Sequence, residues 1–356
     1  MTSHRRQAPK PLRPPAKPWI EWLPVAVRVL VVGAQIATVI TTWPLWQARA
    51  WPPLLPAVPL PQWDIGWLMI VSALAVLVHP RYGLTAHCVV VGLAMLMDQT
   101  RMQPEIVSHC LLMLGTLPAT GAKLVGRMHL VSLWLFSGLH KLFSPAFFDN
   151  IAPALFGDLF PSAPAGSVLV FASCLVGAEL ALGFLALSVR TRRFAACAAV
   201  PFHLGVLASL VWIGWNQAVW PWNVALAGAG FGLLFPWRES LTESFARAGV
   251  ALRAAAACVL LAPLLFYVGA LDAYMAHCLY SGNTPVGIWV HDGQEENLSM
   301  LTMHSSLHVP LPPTHRTFWQ FFLAAGHPGD RLVIEDSRQW ARLWRYDRTE
   351  YEYPER

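Results

Sequence analysis

A lysine at the end of an apolar segment is the residue of this sequence best placed to do chemistry. Lys141 follows His140 in LFSGLHKLFSPAFF, which closes an otherwise apolar run. Burying an unpaired ammonium costs several kcal/mol, so such a position needs a reason. Two interpretations stay open. The amine reaches out to the membrane surface, or it lines a partly dry cavity in which it acts as a general base.

Other polar residues are predicted at the same depth as Lys141. Asp98 and Arg101, in DQTRMQP, are spaced to pair across one helical turn. Asn216 and Gln217 occur in WNQAVWPWN, also at the end of an apolar run. We predict that these groups meet in a cavity that opens on one side of the membrane. The candidate catalytic residues are therefore Lys141, His140, Asp98 and Arg101.

A second polar pair is predicted deeper in the membrane. Glu179 and His203 lie near the middle of consecutive apolar segments that a short RTRR connection joins. A carboxylate at that depth must find a partner or a proton, so we predict a Glu179–His203 hydrogen bond. The pair either packs two helices together or takes part in a proton relay or ligand contact. The candidate cofactor-binding residues are Glu179, His203, Asn216 and Gln217.

The composition is that of a multi-pass helical membrane protein. The chain has 356 residues, of which 55% are hydrophobic and 13% charged. Apolar runs recur at about the 20 residues that a helix needs to cross a bilayer. They predict an all-α polytopic bundle of about nine transmembrane helices, near 22–43, 65–79, 84–98, 105–120, 126–143, 166–189, 194–214, 220–236 and 250–271. The formal net charge of +5 is no sign of nucleic-acid binding, because in a membrane protein its distribution among the loops matters more.

The distribution of basic residues predicts the topology. Lys and Arg are frequent in the first twenty residues and in every second connection, and scarce in the connections between. Cytoplasmic loops carry this excess. We therefore expect a cell (inner) membrane protein with a basic, proline-rich cytoplasmic tail over 1–20, a helical domain over 21–272 and an extracytoplasmic C-terminus.

The last segment, 273–356, differs in composition and is predicted to form a small α+β appendage. GIWV is typical of a strand, HRTFWQFFLAA of an amphipathic helix, and GDRLVIEDS of a turn followed by a strand. The loop SPAFFDNIAPALFGDLFPSAP is expected to include a short interfacial helix.

No metal site is predicted. His304 and His308 are four residues apart, but a proline follows at once and no helical pattern surrounds them. The cysteines show no CxxC or zinc-ligand spacing and are interpreted as buried small residues.

Two stretches give the chain a family resemblance. With SGLHKLFSPAFFDNIAPALF and GAELALGFLALSVRTRRFAA, it resembles the DoxX/MauE type of bacterial membrane protein, in Gly138-x-x-Lys141 and a mid-membrane glutamate. With DQTRMQP and FHLGVLASLVWIGWNQAVWPWN, it is also similar to the horizontally transferred transmembrane domain, which is related to vitamin K-dependent γ-carboxylase. The resemblance covers about residues 60–290.

The resemblance implies a function in lipid-like redox chemistry. In the carboxylase a lysine of the matching helix deprotonates the reduced quinone, and the match falls on Lys141. This implies a quinone or another lipid-like ligand in an outward-facing site, used in a redox-type or carboxylase-like reaction.

Whether the protein is an enzyme stays open, because a non-catalytic scaffold or maturation partner of a redox system fits the same residues. A transporter is disfavoured, since no inverted repeat is present. The expected partners are membrane lipids and another membrane or extracytoplasmic protein, but not nucleic acid.

Overall fold

The structure is a computed structural model that describes residues 18–164, 166–336, 338 and 347–354. Most of the predicted basic tail, residues 1–17, lies outside the described residues. A helical part comes first and a small sheet with two helices follows. The helices are α1 Pro18–Thr41, α2 Gly66–Val78, α3 Pro80–Met97, α4 Pro104–Gly115, α5 Thr120–Leu142, α6 Ala152–Leu159, α7 Ser167–Leu187, α8 Arg192–Ile213, α9 Trp220–Leu234, α10 Leu241–Arg247, α11 Val250–Leu261, α12 Leu298–His304 and α13 His315–Ala325. The strands are β1 Val286–His291, β2 Gln294–Asn297, β3 Arg331–Asp336 and β4 Asp347–Glu352.

Five helices within the described ranges are long and apolar enough to cross a membrane by length and composition. They are Trp19–Thr41, Pro80–Met97, Ser167–Leu187, Arg192–Ile213 and Val250–Val268, and α2 and α4 are shorter apolar helices. These helices are consistent with a membrane protein. The predicted count of nine spans is not confirmed, although each predicted span overlaps a helix.

Helix α5 explains part of the difference between the predicted and observed spans. It packs against α4, α7, α9 and α11, and most of its side chains are buried. A helix surrounded by protein can carry polar side chains that a lipid-facing helix cannot. Its low hydropathy therefore reflects a central position in the bundle.

Two glycines bring α5 and α7 close together. A Cβ at Gly138 would lie 2.8 Å from Leu180 Cγ, and one at Gly183 would lie 2.5 Å from Leu135 Cγ. The missing side chain of each glycine thus leaves room for a leucine side chain of the facing helix. This contact sets the separation at which polar side chains of α5 and α7 meet, as small residues do at helix interfaces in membranes.

The sheet of the appendage has the order β2-β1-β3-β4, and all neighbouring strands are antiparallel. Asp292 and Gly293 have positive φ (49° and 75°), as the two-residue hairpin between β1 and β2 requires. Helix α13 buries Phe318, Phe321 and Phe322 in the core of the appendage.

The predicted strand in GIWV, the helix in HRTFWQFFLAA and the strand in GDRLVIEDS are confirmed. Helix α6 lies in the loop that was predicted to contain a short helix. Strands β2 and β4 were not predicted.

Candidate functional site

Lys141 and Glu179 form a buried ion pair between α5 and α7. Lys141 Nζ lies 2.9 Å from each carboxylate oxygen of Glu179 and 2.7 Å from Ser137 Oγ. Ser137 Oγ also donates to Glu179 Oε1 at 3.0 Å. Ser137 and Lys141 are four residues apart on α5, so they lie on one face of the helix. The exposed fractions are 4% for Lys141 and 8% for Glu179, which places both charges inside the bundle.

The ion pair forms part of the wall of a small cavity of about 80 Å³, here called the inner cavity. Its walls include Ser137, Lys141, Glu179, His203, Asn223 and His277, together with apolar side chains. It has room for a few water molecules or for the polar edge of one ligand headgroup. Donors and acceptors from four helices and from the segment after α11 converge there.

A wider cavity of about 730 Å³ borders the inner cavity. The two cavities share Leu279 and Tyr280 in their walls. The wide cavity lies between the helical part and the appendage, because Asn216 and Gln217 line it from one side and Met300 from the other. Leu279 and Tyr280 therefore lie between the wide cavity and the inner cavity.

The predicted hydrogen bond between Glu179 and His203 is wrong. His203 accepts from Trp134 Nε1 at its Nε2 atom (2.9 Å), so its Nδ1 carries the proton of a neutral ring and donates to Asn223 Oδ1 (3.1 Å). Both ring nitrogens are thus occupied, and Glu179 pairs with Lys141 instead. His203 nevertheless lines the inner cavity, as does Glu179.

His140 does not share the surroundings of Lys141. Its Nε2 lies 2.8 Å from the carbonyl oxygen of Ala276, and its Nδ1 lies 2.5 Å from the hydroxyl of Tyr267. Since a carbonyl only accepts, Nε2 carries the proton and Nδ1 accepts from Tyr267. His140 holds the segment after α11 against α5, which is a positioning role.

Asp98 and Arg101 are also not in the walls of either cavity. The predicted contact between them exists, with Arg101 Nε 3.7 Å from Asp98 Oδ2, but Asp98 is closer to Arg49, at 2.7 Å. Asp98 accepts from the backbone of Leu55, and Arg101 donates to the carbonyl oxygen of Leu45. The two residues therefore fix the loop between α1 and α2. The prediction that Asp98 and Arg101 meet Lys141 in one cavity is wrong.

A second polar group, which the sequence does not predict, lies next to the inner cavity. Ser108 Oγ contacts His129 Nε2 at 2.7 Å and accepts from Trp222 Nε1 at 2.8 Å. The ring centroids of His129 and His277 are 5.5 Å apart. Trp222 and His277 also line the inner cavity, so the two polar groups adjoin.

The buried atoms of this region that have no hydrogen-bond partner among the described residues include Glu105 Oε2, His109 Nε2 and His129 Nδ1. Buried polar atoms are seldom left without a partner, so these atoms indicate places for water. Glu105 sits in the first turn of α4 after Pro104, where an acidic residue is usually explained by the helix dipole alone. This explains why the sequence did not single it out.

No family model, curated protein or solved structure matches this chain.

Proposed function

We propose that this integral membrane protein binds a lipid-like molecule with a hydroxyl-bearing headgroup, such as a quinol, and takes a proton from it at the Lys141–Glu179 pair. The observation that carries this proposal is the bidentate ion pair in the wall of a cavity. A quinol is the ligand that the resemblance to the γ-carboxylase-related transmembrane domain implies. We place the site in the outward-facing half of an inner-membrane protein, as the basic residues of the loops predict.

The cost of the ion pair argues for a role beyond packing. Apolar residues of similar volume in place of a buried ion pair are often neutral or stabilising. The glycine contacts of Gly138 and Gly183 already join α5 to α7 without charges. A Lys–Glu pair that faces a cavity lined by His203 and Asn223 is therefore more than helix packing requires.

The geometry assigns different roles to the two charges. Glu179 is the carboxylate that can accept the proton of a ligand O–H group. The Lys141 ammonium stays beside it and stabilises the oxygen anion that the ligand then carries. The proton moves from the ligand oxygen to a Glu179 oxygen and no electrons are transferred in this step. The sequence alone favours Lys141 as the base, because it does not reveal that Glu179 is the partner of this lysine.

The two cavities fit a lipid-like ligand in different ways. The inner cavity, at about 80 Å³, takes only the polar edge of a headgroup, whereas the wide cavity, at about 730 Å³, has room for a ring and part of its chain. We infer that the ligand lies in the wide cavity and reaches the ion pair past Leu279 and Tyr280.

A non-catalytic scaffold is the second candidate, and one observation favours it. The lysine amine has three acceptors inside the protein, the two oxygens of Glu179 and that of Ser137. An ammonium satisfied in this way is able to serve as a fixed link between α5 and α7.

The test is the quinone that copurifies with the protein. We expect isoprenoid quinone, measured by mass spectrometry of a solvent extract, to be enriched per mole of wild-type protein. It should be lost both in Lys141→Met and in Lys141→Met/Glu179→Leu, which leaves no unpaired charge in the bundle. Lys123→Met is the control, because Lys123 is on the same helix but does not line the inner cavity. Equal amounts in wild type and Lys141→Met would support the scaffold.

A further inference from the structure

A group of metal-ligating side chains lies in the appendage, in none of the walls of the inner or wide cavity. His291, His327 and Asp330 each offer a ligand atom, and these atoms lie within 4.8 Å of one another. This group does not include His304 or His308, the two histidines four residues apart in sequence. His327 and Asp330 are three residues apart in sequence, whereas His291 is distant from both and joins them only through the fold.

The backbone places two of these residues by a tight turn. In His327-Pro328-Gly329-Asp330, the Asp330 amide donates to the His327 carbonyl at 3.0 Å, and Gly329 has φ 94°. Proline second and a positive-φ glycine third is the pattern of a type II turn. His327 and Asp330, the first and last residues of this turn, are thus held on one side of the appendage.

The sheet brings in the third residue. Val290 pairs with Arg331 in the β1–β3 ladder, so the next step places His291, at the end of β1, opposite Asp330. His291 Nδ1 lies 2.6 Å from Asp330 Oδ1. The ring centroids of His291 and His327 are 6.0 Å apart.

Asp330 is held in place before any ligand binds. Its Oδ2 atom accepts from the His327 amide at 2.9 Å and from Trp289 Nε1 at 3.1 Å. These two donors fix the carboxylate and leave Oδ1 toward His291. Asp330 is buried, whereas the side chains of His291 and His327 are 46% and 72% exposed, so a metal ion can reach them from solvent.

We propose that His291, His327 and Asp330 bind a divalent transition-metal ion of the zinc class. Two imidazoles and one carboxylate are a ligand set that zinc uses, with bonds of about 2.0–2.2 Å and a water in the fourth position. Ligand atoms at such distances from one metal are about 3.3 Å apart. The ligand atoms of the three residues already lie within 4.8 Å of one another, so they need to draw closer by only about 1.5 Å. Asp292, whose Oδ2 lies 3.4 Å from His291 Nε2, adds negative charge beside the site.

The test is zinc binding to the purified full chain in detergent, measured by equilibrium dialysis. We expect wild type to bind one more zinc ion per chain than His327→Ala or His291→Ala. His315→Ala is the matched control, because His315 is also a partly exposed histidine beside an aspartate, 3.3 Å from Asp336, and is not in the group. It should bind as wild type does.

A second measurement separates loss of the site from loss of the fold. His327 has only a 3.9 Å contact to Asp330 as an ion pair, so His327→Ala should keep its circular dichroism spectrum and its unfolding midpoint without metal. Zinc should raise the unfolding midpoint of wild type and of His315→Ala but not that of His327→Ala. Equal zinc stoichiometry and equal midpoint shifts in wild type, His291→Ala and His327→Ala would overturn the proposal.

Discussion

Lys141 on α5 and Glu179 on α7 form a bidentate ion pair, with Lys141 Nζ 2.9 Å from both carboxylate oxygens. The two residues are 38 positions apart in sequence, and the pair exists only because α5 and α7 pack closely. Removal of one partner leaves an uncompensated charge in the bundle, which costs about 3–5 kcal/mol. Single substitutions at either residue therefore test stability as much as function.

Ser137 links both members of the pair, so Ser137→Ala should destabilise the protein. The substitution removes the hydrogen bonds to Lys141 and Glu179 and leaves each with one polar contact fewer. Hydrogen bonds to charged groups contribute about 1.5–3 kcal/mol, so a lower unfolding midpoint in detergent is expected. Ser209→Ala is the control, because Ser209 donates only to Gly205 on its own helix. An unfolding midpoint of Ser137→Ala equal to that of Ser209→Ala would mean that the serine contributes nothing to the pair.

Gly138→Val should separate α5 from α7. The new Cβ would lie 2.8 Å from Leu180 Cγ and 3.2 Å from the Leu180 backbone nitrogen, so the helices must move apart. Overpacking of this kind costs about 1–3 kcal/mol, and here it also lengthens the Lys141–Glu179 contact. Thermal unfolding in detergent measures the loss. Gly177→Val is the control, because Gly177 is on α7 and a Cβ there meets no atom within 4 Å, so this variant should lose little stability. An equal loss of stability in both variants would refute the close contact between α5 and α7.

Asp98→Ala should act on stability and leave ligand binding intact. Asp98 is fully buried and compensates Arg49, which lies 2.7 Å away, and the partly compensated Arg101. The loss of its charge should lower the unfolding free energy by about 3–5 kcal/mol. In protein that stays folded, at low temperature, the affinity for decylubiquinol should match that of wild type. If folded Asp98→Ala bound the ligand tenfold more weakly than wild type, Asp98 would contribute to the ligand site after all.

The appendage should lose stability in acid through Asp336. Burial alone would raise the pKa of Asp336, but hydrogen bonds from His315 and Arg338 and the charge of Arg338 outweigh it and hold the pKa well below its ordinary value. The carboxylate therefore contributes stability that is complete above the unfolded-state pKa of about 3.9. This stability is lost as the pH falls from there through the folded-state pKa.

The comparison between wild type and Asp336→Asn measures this acid dependence. Protease sensitivity of the appendage in the full chain should rise on acidification in wild type more than in Asp336→Asn, which is already destabilised at neutral pH. Glu295→Gln, an exposed change on β2, should follow wild type. Identical acid profiles for wild type and Asp336→Asn would show that the carboxylate does not contribute.

The sequence predicted the architecture better than the site. Apolar runs located the helices, and alternation and turn residues located β1, β3 and α13, because these signals are local. Strand β2, QEEN, has no apolar face to mark it and forms only because the Asp292-Gly293 turn folds it back on β1.

The contacts of the site depend on packing that no local pattern contains. Lys141 and Glu179 were both singled out, but their pairing depends on the approach of α5 to α7. Helix α9 places Asn223 beside His203, which takes this histidine away from Glu179. Asp98 and Arg101 are predicted beside Lys141, yet their hydrogen bonds go to Leu45 and Leu55 in the loop between α1 and α2.

The paired variant Lys141→Met/Glu179→Leu tests the central proposal most directly. It removes both charges at similar volume, so the protein should fold with wild-type stability or better. Its affinity for decylubiquinol in detergent, followed by tryptophan fluorescence, should fall at least tenfold relative to wild type and to Lys123→Met. A folded double variant that binds decylubiquinol as tightly as wild type would contradict a role of the ion pair in ligand binding.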